Sequence, residues 1–180
     1  MKLWLFGLLL MLSFTPKVGV NAQDEIRGVA CPSDLKTLMS WMLEDLPSYA
    51  NRVTQRARRS DRAVNLFNYI IVAGRPEFDP LPLSNLQYDS ELPDDAQQVF
   101  FTTLERQYNQ TDTIELQNYY WLFLVESPDG WRLTLLFSQL ADLELEGDDL
   151  PLPPQDARNG AIGQGISLWL KDCRAGVLRR

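Results

Sequence analysis

The chain has 180 residues, 17 lysines and arginines against 24 aspartates and glutamates, and a formal net charge of −7. That acidity argues against general nucleic-acid binding, which needs a broad positive field. There is no histidine, which excludes Ser-His-Asp and Cys-His catalysis and any zinc site built on imidazole.

The opening stretch, MKLWLFGLLLMLSFTPKVGVNAQ, carries Lys2, then the nearly all-apolar run Leu3 to Leu12, the helix breaker Pro16, and Val20-Asn21-Ala22. A short basic region, an apolar run and small residues flanking a cleavage point read as a secretory signal peptide over residues 1–22. The run is too short to span a bilayer, which takes about 20 apolar residues. No later segment is longer and more apolar, so the mature chain, residues 23–180, is expected to have no transmembrane segment and to form a single α+β domain. Gly28-Val29-Ala30-Cys31 loosely resembles a lipidation box but lies too far past the apolar run.

Cys31 and Cys173 are the two cysteines, near the two ends of the mature chain. In an exported protein they most simply pair, as a staple from the N-terminus to the last helix. The absence of a C-x-x-C spacing argues against a redox role.

After Pro32, Leu35, Leu38, Met39, Met42 and Leu46 recur at helical spacing, with Ser33 or Asp34 able to cap. Pro47 interrupts the pattern, so a second helix is expected from about Ser48 to Arg62. It contains RVTQRARRSDR, five arginines and one aspartate in residues 52–62. Ala50, Val53 and Ala57 fall on one side of that helix. Arg52, Arg56 and Arg59 fall on the other, with Arg58 and Arg62 extending the basic face.

AVNLFNYIIVAGRP reads as a strand stopped by Gly74 and Pro76, and QQVFFTTLERQY as another. Between them lies an acidic, proline-rich loop. TIELQNYYWLFLVE is apolar on both faces from Tyr119 to Val125, which predicts a central strand. SPDG then turns the chain into WRLTLLFSQL, with Trp131, Leu133, Leu135 and Phe137 expected on one face. Residues 114–126 and 131–140 thus form a β-hairpin. A second acidic loop follows. In the last helix Ile162, Ile166, Trp169 and Cys173 share a face, Gly176 ends it, and VLRR reads as a frayed tail. The expected fold is α+β: an antiparallel sheet of about four strands, with two N-terminal helices and one C-terminal helix.

No catalytic signature emerges, and no catalytic, metal or cofactor residue is assigned. Asp142, Glu144, Glu146, Gly147 and Asp148 look at first like a calcium loop. Pro153 stands where an EF-hand needs its bidentate glutamate. Gly160, Gly163 and Gly165 give G-x-x-G-x-G, the wrong order for a dinucleotide cradle, and close helix packing explains them better. Glu105, Glu115 and Glu126 are the carboxylates that could serve a histidine-free hydrolase acting on envelope polysaccharide, with Tyr120, Trp121 and Trp131 as sugar platforms.

Several stretches, DLPSYANRVTQRARR, YIIVAGRPEFDPLPL, QVFFTTLERQY, WLFLVESPDGWRLTLLFSQL and GISLWLKDCRAG, together resemble a family of uncharacterised secreted proteins of cyanobacteria. The resemblance implies a periplasmic or thylakoid-lumenal setting and no particular activity. The leading expectation is an exported, non-enzymatic binding or accessory protein. It would dock an acidic protein or anionic glycan through Arg52, Arg56 and Arg59, whose planar forks suit carboxylate and phosphate. The alternatives are the carboxylate hydrolase, a purely structural envelope protein, and pairing of the arginines with the acidic loops Asp89–Asp95 and Asp142–Asp149 of the same molecule.

Overall fold

The computed structural model describes residues 28–60, 67–81, 94–108, 112–141 and 153–180, with the backbone alone at 58–60 and 67–68. The leader and the acidic residues 142–149 lie outside them, as do residues 89–93 of the first acidic loop.

The order is α1 (Leu35–Ser60), β1 (Phe67–Glu77), β2 (Gln97–Tyr108), β3 (Thr113–Ser127), β4 (Gly130–Leu140), β5 (Gln155–Asp156) and α2 (Ala161–Arg174). The strands make one antiparallel sheet in the order β1-β2-β3-β4-β5, so each pairs with its neighbour in sequence and β3 is central. This is the α+β architecture expected, with two corrections. Among the described residues there are five strands rather than about four, the fifth only two residues long. The N-terminal pair of helices is a single helix.

α1 starts where Asp34 caps it: the Asp34 carboxylate accepts from the Thr37 backbone N–H at 2.8 Å and from its hydroxyl at 2.7 Å. The Thr37 bonds hold the Asp34 carboxyl below its ordinary range. Pro47 sits inside the helix without ending it. An interior proline costs about 3 kcal/mol. Leu38, Met39, Met42, Leu43, Leu46, Ala50 and Val53 form one continuous buried stripe across it, and large side chains contribute roughly 1.5–3 kcal/mol each on burial. Breaking the helix at Pro47 would turn Ala50 and Val53 out of that stripe, so burial prevails.

Both helices cover one face of the sheet. Val99, Phe101, Tyr120, Leu122, Leu124, Trp131 and Leu136 meet α1 and α2 there in the main core. The helices touch backbone to backbone: a Cβ on Gly165 would lie 3.1 Å from the Ala50 nitrogen. Close packing is thus the role of this glycine. The opposite face carries a smaller aromatic cluster, Trp121, Phe123 and Phe137, with Leu81, Phe100, Tyr119 and Leu135 against it.

The expected alternation along β4 fails. Phe123 pairs with Leu135 and Leu124 with Leu133, so Thr134 is an extra residue and the register slips. A bulge of this kind flips every side chain beyond it to the other face. Trp131 and Leu133 therefore face the helices, while Leu135 and Phe137 join the aromatic cluster and Leu136 takes the core position.

β1 is an edge strand, and α1 seals part of it. Asn51 Oδ1 accepts the Ile70 backbone N–H at 3.0 Å, and Asn51 Nδ2 donates to the Ile70 carbonyl at 3.0 Å and to Pro47 O at 2.6 Å. One side-chain amide thus replaces a neighbouring strand at Ile70. Asn51→Ala orphans two backbone groups beside a residue only 1% exposed. The expected loss in urea unfolding is about 2–3 kcal/mol.

The C-terminal residues are docked rather than frayed. α2 closes in a Schellman turn: Gly176, at φ 64°, donates to Cys173 O and Val177 donates to Asp172 O. Leu178 is buried in the main core, and its carbonyl accepts from Val29 N at 3.1 Å. Arg180 donates to Trp41 O, Glu44 and Asp45 and lies over the Trp41 ring. Beside this junction Cys31 and Cys173 form a disulfide, with Cα atoms 5.0 Å apart.

Candidate functional site

The second half of α1 presents the basic face. Arg52 is exposed. Its Nε donates to Ser48 O, one helical turn back, at 3.2 Å. Its guanidinium lies 4.3 Å from the Tyr49 ring centroid, a cation–π stack. Tyr49 is anchored in turn, donating its hydroxyl to Asp172 of α2 at 2.8 Å. Burial pushes the Tyr49 phenol up to about 12, and the Asp172 carboxylate adds to this while Arg52 opposes it. The phenol therefore stays protonated and keeps donating to Asp172. The chain Asp172–Tyr49–Arg52 runs from one helix to the other and fixes where the Arg52 fork points.

Arg52 has no carboxylate partner among the described residues. Arg56, one turn on, is exposed and has contacts of its own. Arg59 lies on α1, with its side chain outside the described atoms. Arg62 and most of the two acidic loops lie outside the described residues too.

The three candidate carboxylates are not brought together. Glu105 faces the helix side of the sheet and accepts from Asn118 Nδ2 at 3.1 Å and from the Tyr120 hydroxyl at 3.5 Å. Glu115 is on the other side, paired with Arg106. Glu126 lies on the helix side, but ten residues along β3 from Leu116, the partner of Glu105. At about 3.3 Å per residue that is roughly 33 Å, far beyond the separation that glycoside hydrolysis uses. Tyr120, Trp121 and Trp131 are all under a tenth exposed, so none offers a ring face to a sugar. No group of three or more metal-ligating side chains occurs among the described residues. No described helix is long and apolar enough to cross a membrane.

The sequence placed Arg52 on an outward face correctly. It did not reveal that Tyr49 and Asp172 hold it. The i, i+3 spacing of Tyr49 and Arg52 was a usable signal for the stack. The pairing with Asp172, 123 residues away, was not visible locally. Comparison with known protein families, curated proteins and solved structures finds no match to this chain.

Proposed function

We propose that the protein is an exported, non-enzymatic binding protein that docks an anionic partner, an acidic protein or anionic glycan, on the Arg52, Arg56 and Arg59 face of α1. The observation that carries this reading is Arg52: exposed, stacked on Tyr49, and without a carboxylate among the described residues. A guanidinium held in place loses less freedom on meeting a carboxylate or phosphate than a mobile one. Its setting in an acidic chain makes the face locally selective, since the surrounding field disfavours non-specific anion binding. The Cys31–Cys173 disulfide is compatible with an oxidising compartment. Together with the leader-like residues 1–22 and the resemblance to secreted cyanobacterial proteins, it supports a periplasmic, thylakoid-lumenal or secreted location.

The test is retention on immobilised heparin and on immobilised polyglutamate at low salt. Wild-type protein should be retained on at least one and elute as salt rises, because screening weakens surface charge contacts. The triple variant Arg52→Glu, Arg56→Glu, Arg59→Glu should flow through, with a thermal midpoint within a few degrees of wild type, as surface charges contribute little to stability. Unchanged retention with a large fall in the midpoint would sink the docking reading and favour pairing of the arginines within the molecule.

A further inference from the structure

β5 covers β4 only at Phe137 and Ser138. From Trp131 to Thr134 the outer edge of β4 has no strand beside it among the described residues. Two arginines occupy its outward carbonyls instead: Arg174 Nη1 donates to Trp131 O at 2.6 Å, and Arg158 Nη1 to Thr134 O at 3.5 Å. Between this edge and α2 lies a cleft of about 200 Å³, lined by Arg132, Leu133, Ser167, Leu170 and Arg174.

The lining is chemically one-sided. It holds two cations, one hydroxyl and two leucines, and no carboxylate. Ser167, Leu170 and Arg174 follow one another at three and four residues, a single stripe of α2. Leu170 is 1% exposed and supplies an apolar floor.

Both arginines are positioned. The Arg174 stem crosses Gly130, where a Cβ would come within 3.0 Å of its Cγ. Gly130 has φ 111° and no side chain, so the turn leaves the stem its path. Arg132 is fixed from the other side, by Nε to Ser127 Oγ at 3.2 Å and by Nη2 to Asp129. Its remaining Nη1, and Nε and Nη2 of Arg174, have no partner among the described residues.

We propose that this cleft binds a small oxyanion, a carboxylate or a phosphate, held by Arg132 and Arg174 with the Ser167 hydroxyl as a third donor. Guanidinium forks match both anions bidentately. The site stands apart from the α1 arginines and does not rest on them.

The experiment is isothermal titration calorimetry on the oxidised, full-length mature protein. Sodium phosphate and sodium succinate are titrated separately at ionic strength matched with chloride. Saturable one-to-one binding of at least one is expected. Phosphate alone identifies a phosphoryl ligand, succinate alone a carboxylate. Arg132→Gln and Arg174→Gln should each weaken it roughly tenfold or more, the loss of one charge-assisted bond. Arg174→Gln also removes the donor to Trp131 O and so weakens the β4 edge itself. Ser167→Asp, at an exposed position, then serves instead: its own carboxylate occupies the arginines and should abolish binding. No heat with either anion, or wild-type affinity in Arg132→Gln or Ser167→Asp, overturns the proposal.

Discussion

Replacing Cys31 and Cys173 together by alanine is expected to lower the free energy of unfolding by roughly 4–5 kcal/mol in the chain-entropy account, which grows with the loop closed. Here the bridged residues are 142 apart, near the upper end of what one disulfide can restrict. Whole domains have about 5–15 kcal/mol to lose, so the variant should sit close to its threshold. Alanine is the better probe, because Cys173 is 1% exposed and serine would bury a hydroxyl. The local consequence is separate from the entropy. Ser33 O accepts from Trp131 Nε1 at 3.1 Å and Val29 pairs with Leu178, so residues 28–34 keep two further ties. Denaturant titration should show a lower midpoint in the variant. Hydrogen exchange should show the extra opening first at residues 28–34 and the end of α2. An unchanged midpoint would mean that the unfolded chain is already compact enough for the cross-link to restrict nothing.

Trp169→Ala should be nearly as damaging, at about 4 kcal/mol. Trp169 is wholly buried among α1, α2 and the sheet. Its Nε1 donates to Asp45 Oδ2 at 2.8 Å, and the same oxygen accepts from Arg180 Nη2 at 2.9 Å. The substitution therefore opens a cavity and removes one of two donors from a half-buried carboxylate. Trp169→Phe separates the two effects: it keeps most of the volume and loses the donor to a carboxylate, for about 1.5–3 kcal/mol. Urea unfolding of the pair reads both. Equal losses in the two variants would place the energy in the hydrogen bond and contradict the packing account.

The elements that were legible in the sequence are those whose signal is local. The β2 bounds, the hairpin through Pro128 and Gly130, the Gly176 stop and the inward face of α2 each follow from spacing or backbone chemistry within a dozen residues. The misreadings share a different cause. Pro47 speaks locally for a break, and only the burial of residues on both sides of it overrules that. The Thr134 bulge is invisible because apolar residues stand at 133, 135, 136 and 137 alike, so alternation fits either face. The tail VLRR is short, ends in two arginines and looks like solvent chain. What holds it is Trp41, Glu44 and Asp45, more than 130 positions away. The candidate site divides the same way. The outward set of Arg52 was readable from helical period, whereas its anchorage through Tyr49 and the β4–α2 cleft depend on which elements meet.

The junction of the first and last described segments also decides how the molecule bears mechanical load. Gly28 to Cys31 and Cys173 to Leu178 lie side by side, joined by one backbone hydrogen bond and one covalent bridge. Tension entering at Gly28 and leaving at Arg180 passes through the sulfurs and bypasses the residues between. The sheet, with its long paired strands, carries none of that force. Once the bridge is reduced, only the Val29–Leu178 hydrogen bond still ties the two segments together there, and the same pull reaches α1 and α2 directly. The oxidation state of a single bond thus sets whether this protein behaves under traction as a short tether or as an extensible chain.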